Sequence, residues 1–60
     1  MKQHIYKEGS FVQFAIKYRK KYGSDHLEIL QQLKDGPFDY IVDYQGGLLE
    51  VTEKEIVNIQ

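Results

Sequence analysis

Between Ser10 and Tyr22 the chain, Ser-Phe-Val-Gln-Phe-Ala-Ile-Lys-Tyr-Arg-Lys-Lys-Tyr, carries two hydrophobic periods at once. At helical spacing, Phe11, Phe14, Ala15, Tyr18 and Tyr22 line up as one stripe. At strand spacing, Val12, Phe14, Ile16 and Tyr18 alternate with Gln13, Ala15, Lys17 and Arg19. In that case Glu8-Gly9 would turn the chain back from residues 2–7. The ends of the segment favour the helix. Ser10 followed by Gln13 has the spacing of a capping box, Lys20 and Lys21 sit where the helix dipole favours cations, and Gly23 suits the position after the last turn. A helix over 10–22 is therefore expected.

Leu27, Ile29, Leu30 and Leu33 give residues 25–34 an apolar face. Ser24 stands as N-cap, Asp25 and Glu28 lie in the first turn, Lys34 lies in the last, and Gly36-Pro37 stops the run, so a second helix is expected. From Phe38 to Gln45 the period changes to two. Phe38, Tyr40, Val42 and Tyr44 face one way, and Asp39, Ile41, Asp43 and Gln45 the other. Gly46-Gly47 can supply the positive φ values of a tight hairpin turn, with Leu48–Val51 returning as the second strand. Thr52 and Glu55 form another capping-box pair, so residues 53–59 end the chain as a short helix burying Ile56, Val57 and Ile59, or else run on as a strand. Residues 2–7 read as a short edge strand or an extended arm. Together these elements predict an α+β fold: two short antiparallel helices packed on a small antiparallel sheet that contains a C-terminal β-hairpin.

Length limits what such a chain can be. Sixty residues support one domain, residues 1–60, and bury only about 60% of the unfolded surface. No cysteine is present to form disulfides or thiolate metal sites. Five tyrosines and three phenylalanines exceed what so small a core easily encloses, so some rings are expected at the surface, where aromatics favour interfaces. No apolar run reaches membrane-spanning length, and the first residues carry no apolar signal-peptide core, which together with the missing cysteine points to the cytoplasm.

Charge is uneven along the chain. Lys2, Lys7, Lys17, Arg19, Lys20, Lys21 and Lys34 against Glu8, Asp25 and Glu28 give residues 1–34 a charge of +4. Lys54 against Asp35, Asp39, Asp43, Glu50, Glu53 and Glu55 gives residues 35–60 a charge of −5. Each half could steer a partner of opposite sign.

Little here supports catalysis. The two serines are explained as helix caps, and a nucleophilic triad needs a shielded pocket that a chain this short rarely encloses. His4 and His26 belong to no ligand-spaced pair; His4 reads as part of a frayed arm and His26 as a surface residue, so no metal or cofactor is expected. Asp39 and Asp43, on one face of a strand, would stand about 13 Å apart, beyond the roughly 5–9.5 Å of a glycosidase pair. The glycines form no phosphate-binding loop.

Two binding modes remain. Tyr40 and Tyr44 of the hairpin, flanked by Asp39 and Asp43, are the expected contacts with a protein partner. The alternative is nucleic acid, bound by Lys17, Arg19, Lys20 and Lys21 with interleaved Tyr18 and Tyr22 as stacking rings. Helical spacing, however, separates these rings from Lys17, Lys20 and Lys21, and a pI near 6.0 is low for a nucleic-acid binder. A homodimer burying the surplus rings against a second copy is a third option. Seven lysines to one arginine suggest an AT-rich genome. In size and lack of chemistry the chain is similar in general character to small accessory proteins of phages and other mobile elements, many of which bind and inhibit a host protein. That likeness implies a regulator or inhibitor occupying a surface of a host protein.

Overall fold

The computed structural model describes residues 2–59. Its elements are β1 (Phe11–Phe14), α1 (Ile16–Tyr22), β2 (Leu27–Gln32), β3 (Tyr40–Tyr44), β4 (Gly47–Val51), a 3-10 turn (Glu53–Glu55) and β5 (Ile56–Asn58). The strands form one open antiparallel sheet in the order β4-β3-β2-β1-β5. Residues 2–7 are an arm without strand pairing, bent at Ile5 and Tyr6.

The expected pair of antiparallel helices is replaced by one helix of seven residues, α1, on a five-stranded sheet. Both competing periods in 10–22 are real, but they apply in turn. Val12 and Phe14 alternate with Phe11 and Gln13 through β1, and the helix begins only at Ile16. Ser10 caps no helix; its hydroxyl and amide both donate to the carbonyl of Lys7, closing the turn around Gly9. The far end behaves as expected. Gly23 follows the helix at φ 92°, its N–H donates to the Arg19 carbonyl at 2.7 Å, and Arg19, Lys20 and Lys21 occupy the last turn.

The expected helix over 25–34 is strand β2. Its register against β3 slips between Ile29 and Gln31, leaving Leu30 as the extra residue of a β-bulge. Leu27 and Ile29 point into the core, Leu30 points outward by ordinary alternation, and the extra residue leaves Gln31 outside as well. A period of two broken by one inserted residue imitates helical spacing, which explains the wrong assignment.

The hairpin forms where expected, but its turn is Gln45-Gly46 rather than Gly46-Gly47, with φ of 51° and 79°. Two left-handed residues give the turn the twist of the flanking strands. This register sets Val51 opposite Tyr40. The Thr52–Glu55 pair caps a single 3-10 turn instead of a longer helix, the Thr52 amide donating to Glu55 Oε1 at 2.7 Å. The chain then continues as β5, which buries Ile56 and leaves Val57 outside.

The core lies on one face of the sheet: Val12 and Phe14, Leu27 and Ile29, Tyr40 and Val42, Val51, and Ile56. Tyr6 of the arm covers one end of it, and Tyr18 and Tyr22 of α1 pack against the other residues from outside.

Candidate functional site

The opposite face of the sheet carries the unexplained residues. Strand register places Leu48, Asp43, Glu28 and Phe11 side by side in one row across β4, β3, β2 and β1. Alternation puts all four on the face away from the core. Leu48 is 75% exposed and Phe11 56%, so both ends of the row are apolar and open. Its centre is acidic, with Glu28 and Asp43 directly opposite each other on neighbouring strands. Like charges in that relation oppose sheet formation. Among the described residues the only ion pair is Lys2–Asp39, so none of the described cations pairs with Glu28 or Asp43. Beside the row runs a shallow groove of about 320 Å³, bordered by Phe11, Asp25, His26, Glu28, Asp43 and Tyr44. Carboxylates beside the exposed ring of Phe11 suit a cationic side chain, which both charge and ring face attract.

The hairpin residues expected to make contacts are placed differently from one another. Asp43 stands on the open face, and Tyr44 is half-buried at the rim of the groove. The Tyr44 ring meets Phe14 and Tyr22 edge-on at 5.8 and 6.0 Å, and its hydroxyl donates to the Tyr22 carbonyl at 2.9 Å. Tyr40 is fully buried. Its hydroxyl donates to Glu53 Oε1 at 2.7 Å and accepts from the Tyr6 amide at 3.2 Å. Burial, more than the nearby Glu53 carboxylate, pushes its pKa up to about 12. Asp39 accepts from the Glu53 amide at 2.7 Å and pairs with Lys2 at 3.3 Å. The Glu53 amide first, and Lys2 after it, hold the Asp39 carboxyl below its ordinary value despite partial burial. Tyr40 and Asp39 thus fasten the arm to the sheet. His4 belongs to the same fastening rather than to a frayed arm. Its Nε2 donates to the Leu33 carbonyl at 2.7 Å, and its ring meets Tyr40 edge-on at 5.2 Å.

The basic segment lies on α1. Lys17, Lys20 and Lys21 are exposed, while Arg19 Nε donates to the Phe14 carbonyl at 2.7 Å. Tyr18 and Tyr22 pack toward the core, with Lys17 and Lys21 over their rings at 5.7 and 5.2 Å. Lys17 and Lys21 therefore lie against the rings rather than apart from them, unlike the separation that helical spacing implied, and Lys20 alone stands clear.

Sequence patterning missed Glu28, Phe11 and Leu48 because the first two were assigned to helices and the last to an unremarkable return strand. The alternation in 10–14 was the signal that could have exposed Phe11. Among the described residues, no three His, Cys, Asp or Glu side chains are grouped to hold a metal ion, and no helix is long and apolar enough to cross a membrane. Compared with family models, curated proteins and solved structures, the chain shows no match, so its function has to be read from its own geometry.

Proposed function

We propose that the chain is a small non-catalytic binding module of the cytoplasm that occupies a surface of a protein partner, as a regulator or inhibitor does. The partner surface presents a lysine or arginine between apolar side chains. The observation that carries this reading is the row Leu48–Asp43–Glu28–Phe11, two carboxylates that none of the described cations pairs with, between two exposed apolar ends. A partner cation would relieve the repulsion between Glu28 and Asp43 while Phe11 and Leu48 lose water contact. Asp43 and the rim of Tyr44 remain from the hairpin contacts, and Glu28, Phe11 and Leu48 join them.

Amide-resolved NMR titration with Leu-Arg-Leu and Leu-Glu-Leu peptides tests the reading. The arginine peptide is expected to shift Phe11, Glu28, Asp43 and Leu48 amides, the glutamate peptide is not, and Asp43→Lys is expected to abolish the shifts. Equal responses to both peptides, or shifts confined to α1, would overturn it. Oligonucleotide binding lost on charge reversal at Lys20 and Lys21 would establish the nucleic-acid alternative instead.

A further inference from the structure

The two outer strands of the open sheet are exposed to different degrees. At one margin, β5 has three residues. The Gln13 side chain reaches its Asn58 carbonyl, and Ile16 and Arg19 of α1 line the groove beside it. At the other margin, β4 has five residues, Gly-Leu-Leu-Glu-Val, in unbroken register with β3 and paired with β3 alone. Glu50 is its one charged residue, and it has no lysine, proline or bulge, devices that ordinarily stop an outer strand from recruiting another.

Backbone geometry specifies what β4 offers. Tyr44 and Gly47 flank a two-residue turn and form a hydrogen-bonded pair, so Val42 and Leu49 form the next one. Leu48 and Glu50 fall between these pairs. Their N–H and C=O groups therefore point away from β3, into solvent. Two donors and two acceptors are presented along one short strand, next to an exposed leucine.

We infer that β4 pairs with β4 of a second copy, antiparallel, about a two-fold axis through Leu49. In this register Leu48 of one copy faces Glu50 of the other, and the reverse. Both are outward-bonding residues, so all four N–H groups meet C=O groups and the seam gains four backbone hydrogen bonds. Leu49 faces its own copy across a close, non-hydrogen-bonded position. No carboxylate lies opposite another, since each Glu50 is set beside a leucine. A net charge of −1 per chain adds little repulsion. The match of strand to itself is what favours a second copy over a foreign strand. The result is a continuous ten-stranded sheet with two outer rows side by side. It does not depend on what binds those rows.

Concentration dependence tests it on the unmodified chain. Sedimentation equilibrium from roughly 10 µM to 1 mM, a range spanning ordinary weak self-association, is expected to show mass rising from 7.1 kDa toward twice that value. Amide exchange at Leu48 and Glu50 is expected to slow at least ten-fold at the high end, while Leu49, bonded within the hairpin, stays unchanged. In a mixed sample of labelled and unlabelled chains, an intermolecular contact between Leu49 Hα atoms is expected. Glu50→Pro removes an N–H the fold does not use, and Leu48→Glu sets a carboxylate opposite Glu50 of the other copy; each is expected to weaken association ten-fold or more. A monomer throughout the range overturns the inference. So does a dimer whose Leu48 and Glu50 amides stay exposed, or one that survives both folded variants. Peptide binding by a monomer would leave the proposed function standing, and self-association without peptide binding would leave only the dimer.

Discussion

The two ends of the core are held by different forces. At the α1 end, Phe14 stacks on Tyr22 with ring centres 4.7 Å apart, and Tyr44 closes on both edge-on. One hydroxyl bond, Tyr44 to the Tyr22 carbonyl, accompanies them. At the arm end, Tyr6 and Tyr40 also meet edge-on, at 5.7 Å, but the Tyr40 hydroxyl, which accepts from the Tyr6 amide, is drawn into a polar chain. Tyr40 donates to Glu53, the Glu53 amide to Asp39, and Lys2 to Asp39 and the carbonyls of Gly36 and Phe38. The first end holds by shape and apolar burial; the second holds by partners that titrate. Rings of the same kind thus close one end by packing and anchor the other to charged partners.

The largest expected effect breaks the aromatic end. Phe14→Ala leaves a void under Tyr22 and Tyr44 and is expected to cost about 3–5 kcal/mol, enough to unfold a domain this small, as thermal melting would read. At the arm end Tyr40→Phe keeps the ring but deprives Glu53 of its donor and the Tyr6 amide of its acceptor. A loss of about 1–3 kcal/mol is expected in urea unfolding.

Titration sharpens the contrast. Tyr40 ionises near 12 when folded and near 10 when unfolded, so the folded state keeps its proton longer. Its contribution is complete below pH 10 and fades as pH rises toward 12. Tyr6 is shifted in the same direction, by burial first and Glu53 second. Ultraviolet titration is therefore expected to show two late-ionising tyrosines, Tyr40 and Tyr6. Asp39 works at the acid end. Its folded pKa lies below 3.8, so its contribution is present above that value and lost as pH falls through the folded pKa. Asp39→Asn is expected to remove that acid-sensitive step and, because the Lys2 pair is partly solvated, to cost only about 0.5–1 kcal/mol at neutral pH. An effect of the same small size is expected for Tyr44→Phe, which removes one partly exposed hydroxyl bond and lowers stability by about 0.5–1 kcal/mol in the same unfolding measurement. Tyr44→Ala strips the aromatic end as well as the rim of the outer groove, so any loss of binding in that variant has to be measured alongside its melting.

How much of this was legible in the sequence depended on whether a local pattern had a local cause. The hairpin, the Thr52–Glu55 cap, the cationic last turn of α1 and Gly23 after it all depend on residues within a few positions of each other, and all appear. The failures involve distant neighbours. Phe11–Phe14 is a strand because β2 and β5 flank it on both sides, and no residue near it announces them. Leu27–Gln32 was disguised by the bulge at Leu30, whose cause is the register against β3. The outer row depends on three such registers at once. Asp43 could therefore be singled out, while Glu28, its neighbour across the strands, could not. Tyr40 misled for a related reason: an aromatic in a polar hairpin suggests an interface, yet the arm that buries it lies 34 residues away in sequence.

The position of β1 has a consequence for how the chain is made. Val12 and Phe14 lie near the start, yet β1 has its second neighbour only when Ile56–Asn58 are in place. Tyr6 likewise waits for the carbonyl of Ile56 and its arm for the carboxylate of Glu53. During synthesis β1 therefore leaves the ribosome well before β5, and its apolar side chains gain their second flanking strand only after Ile56–Asn58 have cleared the exit tunnel. Folding of this domain is therefore complete only once Ile56–Asn58 are free to pair with β1. A stall anywhere before Ile56 leaves an exposed Phe-Val-Gln-Phe segment for chaperones and proteases to find.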